Sequence, residues 1–288
     1  MAEASGLRLL KEEEQNCCDT TSFGTGELIK AAMDEGAEKI ILGIGGSATN
    51  DCGMGMAAAL GYQFLDADGK EVKPIGKNLS LVKQIKTDHV DPRVMQVDFE
   101  VACDVINPLH GAYGAAYVYG PQKGASEEEI AMLDQGLKDF NEQLIETFNE
   151  DVHEIYGTGA AGGMGAGALT FLKGELKPGI ELVKEMIGFD KRIKGADWVI
   201  TGEGKLDFQT LSGKAVKGVV ESAQSQKIPA AVFCGRVTVP QDALSTMGIH
   251  YSDSVMLQAI DYEDAMENGR TYLATMAKNF ALRLQRDL

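Results

Sequence analysis

The chain has 288 residues, 44% of them hydrophobic and 24% charged, enough for one large α/β domain or two smaller ones with separate cores. Its 43 acidic and 27 basic residues leave a formal charge of −16, which repels phosphate backbones and offers no basic stripe, so nucleic acid is excluded as a partner. The same charge repels anionic metabolites at long range, so binding one requires local compensation from lysine, backbone N–H groups or a divalent cation.

The five cysteines, Cys17, Cys18, Cys52, Cys103 and Cys234, are odd in number and lack paired metal-ligand spacing. Cys17 and Cys18 are adjacent and poorly placed to bridge each other, which points to a reducing compartment. The stretch Met1-Ala2-Glu3-Ala4-Ser5-Gly6 has neither a basic nor an apolar leader segment, and the apolar runs are short and broken by glycine. The expectation is a cytoplasmic protein without membrane contact.

In chain order, Gly24 to Glu35 has helical spacing, with Leu28, Ile29 and Met33 on one face, and Lys39 to Ile44 is a short run rich in β-branched residues, hence a strand. A glycine turn follows, then helical spacing over Asp51 to Gly61. Asp66-Ala67-Asp68-Gly69 reads as a hairpin turn between Tyr62 to Leu65 and a short strand directly after it. Val97 to Cys103 and Ala115 to Tyr119 are expected as strands. Ser126, followed by Glu127, Glu128 and Glu129, is a good N-cap for a long helix reaching Asn149. Beyond Lys194 strands and helices alternate: strand Asp197 to Thr201, helix Gly213 to Ser225, strand Ala230 to Cys234, helix Gln241 to Met247, strand Tyr251 to Met256 and a last helix from Tyr262. That rhythm predicts a parallel sheet with crossover helices, although its three strands are few for a doubly wound sheet. The fold class is therefore α/β, in one large domain or two smaller ones.

Three glycine-bearing loops carry the candidate chemistry. Ile41-Leu42-Gly43-Ile44-Gly45-Gly46-Ser47-Ala48-Thr49-Asn50-Asp51 runs from a strand through Gly45, Gly46 and Ser47 into a helix, the usual place for an anion at strand carboxyl ends. It is not a Walker A loop, and its structural alternative is a tight turn with Asn50 or Asp51 capping the next helix. The second is Ala102-Cys103-Asp104-Val105-Ile106-Asn107-Pro108 with Gly120-Pro121-Gln122-Lys123-Gly124. Here Asp104 suits a metal or a substrate hydroxyl and Lys123 a phosphate, unless they are a turn former and a solvated lysine. The third is Thr201-Gly202-Glu203-Gly204-Lys205-Leu206-Asp207, continuing to Lys214. It places Mg²⁺-type oxygen ligands, Glu203 and Asp207, beside phosphate-neutralising charge. The run from Gly157 to Gly167 demands close backbone approach by either a ligand or a packed helix, and the four histidines are given no role.

These runs together resemble the bacterial glycerate kinase family that is unrelated to the P-loop kinases. The resemblance rests on Met1 to Leu7, Gly24-Thr25-Gly26-Glu27-Leu28, Gly45 to Asp51, Ala102-Cys103-Asp104-Val105, Gly120 to Ala125, Gly159 to Gly165 and Thr201-Gly202-Glu203-Gly204, in register over essentially the whole chain. It implies ATP-dependent phosphorylation of glycerate, usually giving 2-phosphoglycerate, between a flavodoxin-like domain and a second α/β domain inserted into it. On this reading residues 1–192 are mainly the inserted domain, and residues 193–288 are the C-terminal part of the flavodoxin-like one. The family's first strand and its Asp-, Ser- and Lys-bearing loop are absent, which keeps a non-catalytic binding or oligomerisation fragment as the alternative. Cys52 stands where the family usually has glycine, a change expected to be tolerated if that position is already helical.

The resemblance implies in-line transfer from MgATP. Asp207 or Asp104 would orient or deprotonate the hydroxyl, the other would hold Mg²⁺ with Glu203, and Lys214 would screen phosphate charge. Gly45, Gly46, Ser47, Thr49, Asn50, Asp51, Asn107, Lys123, Gly202 and Gly204 are candidates for anion binding, and Ser5, Thr25 and Arg236 for the substrate carboxylate. A homo-oligomer is compatible with the sequence. A nicotinamide oxidoreductase is disfavoured because no dinucleotide fingerprint follows an early strand.

Overall fold

A computed structural model describes residues 1–207 and 215–286. The chain divides into two compact units, Met1–Gly179 and Ile180–Leu288. The division falls before the 192/193 boundary that the resemblance implies.

The elements of the first unit are α1 (Ala2–Ser5), α2 (Phe23–Asp34), β1 (Lys39–Gly43), α3 (Met54–Ala59), β2 (Gln63–Leu65), β3 (Gln84–Lys86), β4 (Asp98–Ala102), α4 (Ala115–Tyr119), α5 (Glu127–Phe148), α6 (Ala160–Leu172) and β5 (Glu175–Lys177). Strands β1, β4 and β5 form a parallel sheet in that order, with Gly43 opposite Ala102. Both loops singled out after β1 and β4 therefore leave the same carboxyl end of the sheet side by side, which is how a parallel sheet gathers functional groups.

Helix α5 shows the local logic most clearly. Glu129 N donates to Ser126 Oγ at 3.4 Å and Ser126 N donates to Glu129 Oε2 at 2.8 Å, a reciprocal cap. Ile130, Leu133, Leu137, Phe140 and Leu144 then follow at helical spacing and are all buried. The helix stops at Asn149, whose φ of 57° is left-handed. Phe140 packs with Phe64 and Phe171, and the Tyr62 hydroxyl donates to Phe171 O at 2.8 Å, so the core is aromatic with its polar tip satisfied.

Two expectations are corrected. Ala115 to Tyr119 is helix, not strand: Ala115 and Ala116 are buried while Tyr117 and Val118 face solvent. Five residues are too short a window to separate the two periods, and tertiary burial of the alanine pair overrides the β-preference of Tyr and Val. The Asp66 to Gly69 turn exists, with Gly69 N donating to Asp66 O at 3.0 Å, but β2 pairs antiparallel with β3 and meets Glu71 only in an isolated bridge.

The glycine run from 157 to 167 packs against backbone. A Cβ on Gly162, whose φ is +71°, would sit 2.0 Å from Thr49 O, and one on Gly167 would sit 2.5 Å from Cys52 O. Cys52 itself has φ 53°, a left-handed conformation, so the helical backbone on which tolerance of its side chain is conditional is not present there. Glycine is at home there, and a Cβ costs roughly 1 kcal/mol.

The second unit contains α7 (Gly179–Ile187, its first residue lying in the first unit), α8 (Phe189–Arg192), β6 (Val199–Thr201), β7 (Lys205–Leu206), α9 (Ala215–Ser225), β8 (Ala230–Cys234), β9 (Arg236–Val237), α10 (Gln241–Thr246), β10 (Ile249–Ser254) and α11 (Tyr262–Arg286). Its sheet runs β10-β8-β6, all parallel, with every residue of the central strand buried, as the alternating rhythm foretells. Strands β7 and β9 pair separately.

Gly162→Ala should destabilise the chain by roughly 3 kcal/mol or more in urea unfolding, because both φ and the Thr49 carbonyl oppose a Cβ. Gly45→Ala, whose Cβ meets nothing within 4 Å, should cost about 1 kcal/mol or less.

Candidate functional site

A cavity of about 500 Å³ opens at the carboxyl ends of β1 and β4. Its floor is Gly43 to Ser47 and Ala102 to Val105; Tyr119, Gln122 and Lys123 close one side, and Leu7, Ala160 and Ala161 complete it. The first two candidate loops are thus brought into one place, and the charged residues of the lining are Asp104 and Lys123. The N-terminal segment straps the floor: Leu7 N donates to Gly46 O and Ala48 N to Ser5 O, both at 2.9 Å.

Lys123 is 3% exposed, so it is not a solvated loop lysine. Its Nζ donates to Ser47 Oγ at 2.8 Å and to Thr49 O at 2.7 Å, tying the floor to the side wall. Burial lowers its pKa to about 8, while Cys17 and Asp51 pull it back upward. Asp51 is fully buried behind the floor, where its carboxylate accepts from Ser22 N (2.7 Å), Ser22 Oγ (2.8 Å), Gly53 N (3.2 Å) and Gly55 N (3.1 Å). Burial pushes its carboxyl up and those four bonds push it down. Asp51 therefore ties the start of α3 to Ser22 at the head of α2, the capping alternative raised for this loop. Thr49 Oγ1 and both side-chain polar atoms of Asn50 are buried without partners.

Asp104 is exposed to the cavity and held by one oxygen, Oδ1, which accepts from Gly179 N at 2.8 Å. Asn107 is not in the lining. Its Oδ1 accepts from Tyr119 Oη at 2.6 Å and its Nδ2 donates to Tyr113 O at 2.9 Å, so it orients Tyr119, which is in the lining. Ser5 and Thr25 bond each other at 2.9 Å; Ser5 lines a separate cavity of about 180 Å³ with Thr49 on the other side of the floor.

The remaining candidates lie in the second unit and surround the β7–β9 pair. Gly235 N donates to Glu203 O at 3.1 Å and Arg236 N to Gly204 O at 3.0 Å, while a Cβ on Gly202 would meet Phe233 O at 2.0 Å. Lys205 Nζ pairs with Asp207 Oδ2 at 2.9 Å, and Arg236 is exposed. Lys214 lies outside the described residues. Among the described residues no group of three or more His, Cys, Asp or Glu is arranged to hold a metal.

Tyr119, Gln122 and Cys103 line the cavity without having been singled out as site residues. Gln122 stands beside Lys123 in the same motif, which is a signal; Tyr119 was hidden by the expectation of a strand.

The family model described as the glycerate kinase family matches residues 1–285. A glycerate kinase of Halalkalibacterium halodurans is 44% identical over 98% of this chain and 74% of its own length. The glycerate 2-kinase of Escherichia coli is 41% identical over 99% of this chain and 74% of its own. A crystal structure from Salmonella typhimurium described as glycerate kinase 2 superposes with a TM-score of 0.85 at 39% identity, covering 99% of this chain and 75% of that one.

The Lys123 burial sets a pH dependence that can be measured. Its folded pKa of about 8 lies below the unfolded value near 10.4, so between them the unfolded chain binds the extra proton and stability from this group rises with pH. Relative to Lys123→Met, the wild type should gain about 2–3 kcal/mol in urea unfolding between about pH 8 and pH 10.5.

Proposed function

The chain belongs to the glycerate kinase family, and from that premise we propose that the cavity at the ends of β1 and β4 is where phosphate passes from ATP to the 2-hydroxyl of glycerate. The observation that carries this reading is the meeting of Gly45 to Ser47, Lys123 and Asp104 around one 500 Å³ space. Phosphoryl transfer needs positioning and charge neutralisation more than covalent participation by the protein. Match to the family over residues 1–285 favours the kinase over a non-catalytic fragment or a nicotinamide oxidoreductase. The name of the Escherichia coli relative, glycerate 2-kinase, supports the 2-hydroxyl as acceptor.

The floor loop offers backbone donors with little side-chain bulk, because Gly43 and Gly45 would each direct a Cβ into open space. Lys123 supplies positive charge to an otherwise acidic chain and fixes the Ser47 hydroxyl. Asp104, oriented through one oxygen by Gly179 N, is assigned to hold the acceptor hydroxyl and take its proton.

Mg²⁺ holds a few carboxylates together with phosphate and water oxygens, and it requires no all-protein cage. Glu203 and Asp207 are assigned as its donors, being hard oxygen ligands on the same short loop, where the Asp207 carboxylate already draws one cation, Lys205 Nζ, to 2.9 Å. Such an ion supplies neutralisation of phosphate charge. Lys214 is assigned to screen phosphate, and Arg236 to the substrate carboxylate. Five free cysteines favour a cytoplasmic setting, and no helix among the described residues is long and apolar enough to cross a membrane.

Coupled ADP-release assays with D-glycerate and MgATP test this directly. Asp104→Asn should lower kcat by about 10²–10⁴-fold with unfolding behaviour unchanged. Lys123→Met should lower kcat/KM by about 10²-fold or more. Wild-type rates should fall as pH rises through about 8. Product analysis should find 2-phosphoglycerate, and turnover undiminished in Asp104→Asn would remove that residue from the reaction.

A further inference from the structure

His110 and His153 come from different segments, yet their rings stack face to face, with centroids 3.6 Å apart and planes 5° from parallel. Around the stack, Leu109 N donates to His153 O at 3.1 Å and Gly159 N donates to Asn107 O at 3.0 Å. Thr158 Oγ1 adds a bond to His153 O at 3.3 Å. Asn107 in turn accepts from Tyr119, and Tyr119 with Ala160 and Ala161 lines the 500 Å³ cavity. The two imidazoles thus join the two segments that carry one wall of that cavity.

We propose that the His110–His153 stack is a positioning clasp for this wall, closed while at most one ring is protonated and opened when both are. The clasp rests on the kinase reading only for its effect on turnover.

Two imidazolium rings in face contact repel each other, whereas two neutral rings, or one neutral and one charged, stack without that penalty. Burial, and then the neighbouring ring, hold His110 below its ordinary value. The charged groups around the pair come from two elements. From α5, Asp134 accepts from Gly111 N at 2.7 Å and favours a proton on His110, while Lys138 opposes it. From the other segment, Asp151 accepts from His153 N at 3.0 Å and Glu154 lies 3.0 Å from His153 Nε2. These carboxylates suit one positive ring. His153 Nδ1 is buried without a partner, so a proton placed there would be an unsatisfied donor. With the folded pKa of His110 below its unfolded value near 6.5, the clasp is fully closed above that range and weakens as pH falls through it.

The test uses the full chain as wild type and as His110→Phe, which keeps a flat ring but cannot be protonated. Amide exchange at Leu109 and Gly159, corrected for the intrinsic pH dependence of exchange, is compared at about pH 7.5 and 5.5, alongside KM for glycerate. The wild type should lose about tenfold protection at the lower pH and show a raised KM, while His110→Phe should lose less than about twofold. His110→Asn, lacking the ring, should be weakly protected at both pH values and serves if the Phe variant does not fold. Equal loss in wild type and His110→Phe, or unchanged wild-type protection, would overturn the clasp. pH-dependent exchange without turnover at any pH would uphold the clasp and sink the kinase reading. Turnover with pH-independent exchange would sink the clasp alone.

Discussion

The cavity depends on one packing constraint: the chain from Thr49 to Gly53 is buried as bare backbone against the glycines of α6. Thr49 O and Cys52 O stand where Gly162 and Gly167 would otherwise carry side chains. Close packing of this kind fixes the loop backbone against α6, and it explains three successive left-handed residues, Ala161, Gly162 and Gly163, at the head of a helix. The loop cannot shift without α6 shifting, and α6 contributes Ala160 and Ala161 to the cavity wall.

Burying that loop forces polar groups inside, and the chain answers with two opposite charges. Asp51 collects the donors at the heads of α2 and α3, while Lys123 collects the Ser47 hydroxyl and the Thr49 carbonyl. Each is expensive to bury alone, and each is bonded to backbone the other helps to hold. Their contribution is best understood as a fixed geometry for Ser47 and the glycines before it, with Lys123 kept close to losing its proton. Preorganisation of this kind is what phosphoryl transfer asks of a protein.

Local features were legible in the sequence because their causes are local. Ser126 with Glu129 announces a capped helix, the β-branched run announces β1, and the alternation after Lys194 announces a parallel sheet. Ala115 to Tyr119 was misread because five residues carry no usable period and the deciding fact, burial of Ala115 and Ala116, lies in their partners. The sequence offers Lys123 as a phosphate ligand or a solvated lysine, and the burial that excludes the second depends on Ser47 and Thr49. The His110–His153 stack joins residues with no sequence relation, so no motif could reveal it. Cys52 is instructive: the resemblance leads one to expect glycine there, which suits a left-handed backbone, and the structure has one.

The charge of the whole chain then takes on a definite meaning. At −16 it cannot draw glycerate or ATP from a distance, and the two opposite charges of the cavity lining, Asp104 and Lys123, add no net attraction. On the proposed reading, recognition comes from short-range bonds within a preformed space, where amides of the floor loop and a desolvated ammonium act at low local dielectric. The first unit's sheet follows the same rule on its own scale. Glu100, 5% exposed, is bonded at 2.8 Å by Lys39 and at 2.7 Å by Lys177, and both cations lower its carboxyl pKa, Lys177 first. That triad joins β1, β4 and β5, the first two being the strands whose ends open into the cavity. Fixing their alignment fixes the distance between the two loops that line the cavity.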